Sequence, residues 1–207
     1  RTEKILPKTI PYDILKSIFI YLKQKVIVSK TDYQKQKAER NLLIISLLLS
    51  TGIRISELCH IHLKDINLSN KTLHIIGKGK KERILFLGDQ TTFNLLETYI
   101  NKNGKESNDF LFPGKHSPKP LSEQSVRLIL KRIVEQNSLS KTITPHMFRH
   151  SFATMLLDND VDIRYIQQIL GHSSISVTQI YTHVSHSKQK EILSSFNPVS
   201  AIHSDKK

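Results

Sequence analysis

The chain is short of the residues that staple or metallate small domains. Its 207 residues include one cysteine, Cys59, which can form no internal disulfide and so points to a reducing cytoplasm. Acidic residues are also scarce: 18 Asp and Glu stand against 31 Lys and Arg, a formal charge of +13. That imbalance suits a polyanion better than a small neutral ligand, with nucleic acid ahead of a membrane surface. Long hydrophobic runs are missing. The longest, Leu42 to Leu49, is interrupted by Ser46 and is less than half of the roughly 20 residues that span a bilayer, so it predicts a buried helix. No signal-peptide pattern, internal repeat or low-complexity segment is visible. The full G-x-x-x-x-G-K-[ST] phosphate loop is absent. There is no H-E-x-x-H and no Cys pair; His146 and His150 stand at i and i+4 with Arg149 beside them, and no metal site is expected from that set.

What is present is a helical chain interrupted once by strand patterns. Helices are expected over Tyr12 to Val28, Lys37 to Ser50, Gln90 to Asn101, Ser122 to Gln136, Thr144 to Asp158 and Asp162 to Leu170, with shorter ones at Ser174 to Tyr181 and Lys188 to Ser195. Thr144-Pro145 offers an N-cap and a proline at the first helical position, and Gly171 a C-cap. Short runs at His62 to Asn67, Thr72 to Ile76 and Arg83 to Leu87 read as three antiparallel strands, and Lys30 to Gln36 as a loop. Lys102 to Pro120 reads as a long exposed connection around a Phe110-Leu111-Phe112 anchor. The fold class is therefore α+β, mainly α-helical, with a small three-stranded antiparallel sheet. Residues 1–10, beginning at Arg1 and carrying Pro7, are expected to be the remnant of an interdomain linker. Residues 11–186 form the main domain, and 187–207 a tail whose Ile192, Leu193 and Phe196 dock on a neighbouring protomer or on their own domain.

An ordered set of polar residues runs through this framework: Arg54, Lys78, His146, Arg149, His172 and Tyr181. Two arginines can clamp the non-bridging oxygens of a phosphate, lysine and histidine can move protons, and a phenol can attack phosphorus to form a covalent ester. Taken singly, each has a plainer reading. Arg54 has Glu57 three residues on, either to orient its guanidinium or as an ordinary salt bridge. Lys78, between Gly77 and Gly79 at a hairpin tip, could protonate a leaving alkoxide or touch DNA backbone; the second role is preferred for Lys80 and Lys81, with Arg83 beside them. His146 and Arg149 share one face near a helix N-terminus, a setting that favours an anion. His150 suits a supporting hydrogen bond or helix packing. Tyr12, Tyr21, Tyr33, Tyr99 and Tyr165 are expected to pack as amphipathic tyrosines, whereas Tyr181 lies close to His172 and His183. A phenol with an ordinary pKa of about 10 needs a base or a cationic pocket to attack near neutral pH.

In order along the chain stand Thr-Gly-Ile-Arg-Ile-Ser-Glu-Leu (51–58), Gly-Lys-Gly-Lys-Lys-Glu-Arg (77–83), Thr-Pro-His-Met-Phe-Arg-His-Ser-Phe-Ala-Thr (144–154), Leu-Gly-His-Ser (170–173) and Thr-Gln-Ile-Tyr-Thr-His-Val (178–184). Together they resemble the catalytic domain of the tyrosine site-specific recombinases, the lambda-integrase and Xer class, from about Pro7 to Thr182. The resemblance implies a DNA breaking-rejoining fold and a DNA strand transferase of a phage or mobile element. It implies that Arg54 and Arg149 hold the scissile phosphate, Lys78 is the general acid, His146 takes the tyrosine proton, His172 bonds the phosphate and Tyr181 forms a 3′-phosphotyrosyl ester, with Glu57 supporting the site. It further implies double-stranded DNA as partner, self-association into a tetramer on DNA with a monomer in isolation as the alternative, and no cofactor, metal or ATP. A type IB topoisomerase-like activity and a non-catalytic DNA-binding protein are the rival readings. If the basic face neutralises about 6–10 phosphates, duplex affinity should fall on the order of 10³–10⁵-fold between 50 and 200 mM salt. A fluorescence-anisotropy titration series checks this, and a flat response would detach the charge from backbone binding.

Overall fold

A computed structural model describes residues 8–77, 82–103, 106, 109–115, 118–139, 142–171 and 186–203. The chain enters helix α1 (Tyr12–Ile27) at Pro11, and Leu15, Ile18, Phe19 and Leu22 form its buried stripe at helical spacing. Helix α2 (Asp32–Thr51) starts five residues earlier than the sequence pattern suggests. Thr31 accepts a bond from the Gln34 backbone N–H at 3.2 Å, and residues 31–37 are exposed; the polarity read as a loop is that of a capped, solvent-facing first turn. From Leu42 to Thr51 every residue of α2 is buried, and α1 lies against it.

After the short helix α3 (Ile55–Cys59) comes a 3-10 turn at Leu63–Asp65 and then three strands, β1 (Ile66–Asn67), β2 (Thr72–Ile76) and β3 (Glu82–Phe86), antiparallel in the order β1-β2-β3. The first expected strand is thus mostly a turn, because the Asp65 carboxylate accepts the His62 N–H at 3.0 Å, a local bond that competes with a ladder. Ile75 faces Arg83 and Leu73 faces Leu85 across the β2–β3 pair. Helix α4 (Gln90–Asn103) follows, and Leu111 and Phe112 are buried as the expected anchor, the Leu111 N–H bonding the Ile61 carbonyl at 2.8 Å.

The remaining helices are α5 (Glu123–Gln136), α6 (Pro145–Leu157), α7 (Ile163–Leu170), α8 (His186–Ser195) and α9 (Pro198–His203). Ser122 and Asp162 cap α5 and α7 through their side chains; Thr144 precedes Pro145 in extended geometry without a side-chain cap bond. The expected helix at Ser174 to Tyr181 lies outside the described residues. Helix α9 was not foreseen. Its Val199 and Ile202 join the core around α2, while Ile192 and Leu193 of α8 join a second cluster with Phe86, Phe152, Ile169 and Leu170. Asn197, between them, donates to the Ser50 carbonyl at 3.1 Å and accepts the Val199 N–H at 3.0 Å. The described part of the tail therefore packs on its own chain, and Phe196 remains 42% exposed.

Tyr99 is buried, Tyr21 and Tyr165 are half-buried, but Tyr12 and Tyr33 are exposed. Tyr33, 73% exposed in the solvated first turn of α2, does not pack as expected, whereas Tyr12, 46% exposed, donates its hydroxyl to the Ala201 carbonyl at 3.0 Å. Cys59 is buried, which pushes its thiol up to about 11. Among the described residues, no helix is long and apolar enough to cross a membrane.

Gly52 closes α2 in the left-handed region, at φ +62°. A Cβ there would come within 2.6 Å of Phe152 Cδ1 and 2.7 Å of Leu170 Cδ2, so the glycine lets α6 and α7 close on the end of α2. Gly52→Ala combines left-handed strain with overpacking and should destabilise the fold by about 2–4 kcal/mol, read as a lower urea midpoint.

Candidate active site

Three helix ends and one strand meet at this site. Gly52 turns the chain out of α2, and Arg54 stands two residues on as the N-cap of α3. Glu57, in the first turn of α3, reaches back: its Oε2 accepts the Arg54 backbone N–H at 3.0 Å, and its Oε1 accepts Arg54 Nη1 at 3.0 Å. The carboxylate is nearly sealed from solvent, with 4% of its side chain exposed, while Arg54 keeps 38%.

Arg83, expected with Lys80 and Lys81 at a DNA-facing surface, points instead to the interior side of β3. Its Nη1 and Nη2 donate to Glu57 Oε1 and Oε2, both at 2.7 Å, and only 14% of its side chain is exposed. Such a bidentate fork is the strongest form of an arginine–carboxylate pair. Burial by itself raises the Glu57 pKa; the hydrogen bonds and charge of Arg83, followed by the bonds from Arg54, outweigh it and hold the carboxyl below its ordinary value. One signal in the sequence bears on this. Arg83 lies two residues before Leu85 and so shares its buried face, while Ile84 between them is 39% exposed, and an inward-facing arginine requires buried acceptors.

Arg149 comes from the first half of α6 and is buried. It donates from Nη1 to the Gly52 carbonyl and from Nη2 to the Leu170 carbonyl, each at 2.6 Å. These are orphan acceptors at the C-terminal ends of α2 and α7, where a cation is favoured by the helix dipole. Arg54 Nη2 approaches the next carbonyl, that of Gly171, at 3.4 Å. The two arginines therefore converge on the end of α7. Burial, then the neighbouring charges of Arg54 and Arg83, lower the Arg149 pKa to about 10, with Glu57 opposing; Arg149 remains a cation at neutral pH.

His146 is exposed in the first turn of α6, one helical turn before Arg149. His150 is half-buried, and burial, then the charges of His146 and Arg149, lower its pKa. Among the described residues no group of three or more His, Cys, Asp or Glu is placed to hold a metal ion. Lys78, Lys80, Lys81, His172 and Tyr181 lie outside the described residues. The structure thus brings together Arg54, Glu57 and Arg149 of the expected set, adds Arg83, and places His146 on the same helix as Arg149.

Chemically, the cluster concentrates positive charge at the end of α7. Two guanidiniums, of Arg54 and Arg83, share the Glu57 carboxylate, a third, of Arg149, lies close enough to feel their charge, and Arg54 is fixed by both its backbone and its side chain. Removing the Glu57 charge leaves Arg54 and Arg83 facing each other. Glu57→Gln should cost about 3–5 kcal/mol at pH 7. Because the folded-state pKa of Glu57 is depressed, its contribution is complete above the unfolded value near 4.5 and is lost as pH falls through the folded-state value. The stability gap between wild type and Glu57→Gln should therefore narrow below about pH 4.5, as followed by urea unfolding from pH 7 to pH 3; a constant gap would remove the ion pair as its cause.

Comparison with known proteins gives a consistent answer. The phage integrase family model matches residues 21–188. A tyrosine recombinase of Agathobacter rectalis is 51% identical over 98% of this chain and 67% of its own length. The tyrosine recombinase XerD of Staphylococcus haemolyticus is 40% identical over 83% of this chain and 59% of its own. Among solved structures, the XerA recombinase superposes with a TM-score of 0.67 at 28% identity, covering 91% of this chain and 65% of that one. The XerH site-specific recombinase bound to its difH substrate, a pre-cleavage complex, gives 0.68 at 28% identity, covering 94% and 56%. The chain thus spans between about half and two thirds of the length of these proteins. With the family model covering most of its residues, the three-stranded sheet and helical body matching solved recombinases, and Arg54 and Arg149 converging on one spot, the chain belongs to the phage integrase family, the tyrosine recombinases.

Proposed function

We propose that this chain is the catalytic part of a site-specific DNA recombinase that cuts and rejoins double-stranded DNA through a covalent 3′-phosphotyrosyl intermediate. The observation that carries the reading is the convergence of Arg54 and Arg149 on the carbonyls of Leu170 and Gly171, next in sequence to His172. A phosphodiester entering there would meet two fixed cations before any proton moves, which is electrostatic preorganisation for the charge that develops at phosphorus.

In this reading Tyr181 Oη attacks phosphorus, and the bond from phosphorus to the 5′-oxygen breaks. The phenolic proton passes to His146, and Lys78 gives a proton to the departing 5′-oxygen. Arg54, Arg149 and His172 bond the non-bridging oxygens, while Lys80 and Lys81 meet DNA backbone. The ester conserves the bond energy, so an incoming 5′-hydroxyl reverses the step without ATP. Residues 11–186 supply this chemistry, in a cytoplasmic protein of a phage or mobile element that assembles as a tetramer on DNA. The complexes of XerH with difH DNA support DNA as the partner.

The test uses nicked duplexes cut from the DNA flanking the gene, which trap a covalent intermediate by losing the religating strand. Wild type should accumulate a protein–DNA adduct that survives denaturation, and Tyr181→Phe should accumulate none. An adduct of undiminished yield in the Phe variant would overturn the assignment of the nucleophile. Relaxation of a supercoiled plasmid without recombination of two sites would instead favour a topoisomerase.

A further inference from the structure

We propose that Arg83 is a positioning residue for this reaction: by occupying the Glu57 carboxylate in a fork, it keeps Arg54 oriented toward the phosphate, and it locks strand β3 to the end of α7. The proposal rests on the recombinase reading above, and the geometry beneath it is independent of that reading.

Glu57 has two oxygens and four donors to accept. Arg83 takes one lone pair on each oxygen at 2.7 Å; the Arg54 backbone and Nη1 take the others at 3.0 Å. With Arg83 in place Arg54 can spend only one Nη on the carboxylate, leaving Nη2 to lean on the Gly171 carbonyl at 3.4 Å. Without it, the carboxylate would be free to take Arg54 in a fork of its own. That would turn the guanidinium away from Gly171 and commit both of its Nη donors to the carboxylate.

Arg83 also lies flat across Gly171. A Cβ on that glycine would meet Arg83 Cδ at 3.0 Å, Nε at 3.2 Å and Nη1 at 3.3 Å. Gly171 therefore serves twice, by holding φ at +66° at the α7 terminus and by leaving room for the arginine stem. Through this one side chain the strand leading out of the Lys78 hairpin, the Arg54–Glu57 turn and the cap before His172 are held together. Among the described residues, Arg83 Nε is buried without a hydrogen-bond partner.

Two rivals make different predictions: a DNA-backbone contact, and an ion pair that serves stability only. The experiment compares wild type, Arg83→Gln and Arg83→Lys by single-turnover cleavage of the nicked duplex at saturating DNA. Duplex affinity, thermal unfolding and the ¹⁵N signal of the Arg54 Nε–H are measured alongside. A mispositioned Arg54 should slow cleavage in Arg83→Gln on the order of 10²-fold, with duplex affinity nearly unchanged and the Arg54 Nε–H exchanging more slowly with water as its guanidinium closes on Glu57. Arg83→Lys keeps the charge but not the fork, and should recover part of the rate. It also keeps the comparison open if the Gln variant does not fold. Unchanged cleavage at saturation with weaker binding would make Arg83 a DNA contact and overturn the proposal, as would a lower melting temperature with a wild-type rate per folded molecule. If wild type forms no adduct at all, the recombinase reading fails separately. The Arg54 Nε–H signal then still decides the clamp: an unchanged exchange rate in Arg83→Gln overturns it.

Discussion

The carboxylate of Glu57 is the point on which the site depends. A buried charge is tolerated only when paired and fully hydrogen-bonded, and here the pairing partners come from different parts of the chain. Arg54 lies three residues away and Arg83 twenty-six. Satisfying one buried anion therefore fixes the start of α3 and the register side of β3 together. A neutral residue at position 57 would leave two cations with no reason to share a pocket.

Arg149 solves a second problem with the same chemistry. Helices α2 and α7 both end pointing at the site, and their last carbonyls have no partner within their own helices. The guanidinium fork of Arg149 bridges the two ends, so the residue proposed to meet a phosphate also seals a helix junction. This dual use explains its depressed pKa. The arginine is held out of water by helix packing and crowded by Arg54 and Arg83, and an incoming anion would relieve that crowding.

Much of this was legible in the sequence. The apolar stretch from Leu42 to Leu49 pointed to a buried central helix, α5 followed from the helical spacing of Val126, Ile129, Leu130 and Ile133, and the end of α7 from Gly171. The Arg54–Glu57 contact followed from i,i+3 spacing. Arg83 was read with Lys80 and Lys81 as part of a basic surface run; with Ile84, Leu85 and Phe86 in a row, alternation left the faces of this strand ambiguous, and the inward turn of Arg83 shows only in its pairing with Glu57. The polar start of α2 failed for a related reason, since composition reports exposure and not helicity. Helix α9 is too short for periodicity to speak, and it exists because Val199 and Ile202 find a ready core.

The docking of Asn197 on the Ser50 carbonyl has a consequence for how this domain can be cut out of a longer polypeptide. Ser50 lies two residues before Gly52, whose carbonyl holds Arg149, so the tail and the active-site arginine anchor on the same last turn of α2. A boundary drawn at residue 186 would look clean by motif, since every residue of the six-membered polar set lies before it. It would nevertheless strip Ile192, Leu193, Val199 and Ile202 from the core and leave the buried Ser50 carbonyl without its donor. Expression limits chosen by motif alone would thus keep all the chemistry and loosen the helix end that aims it.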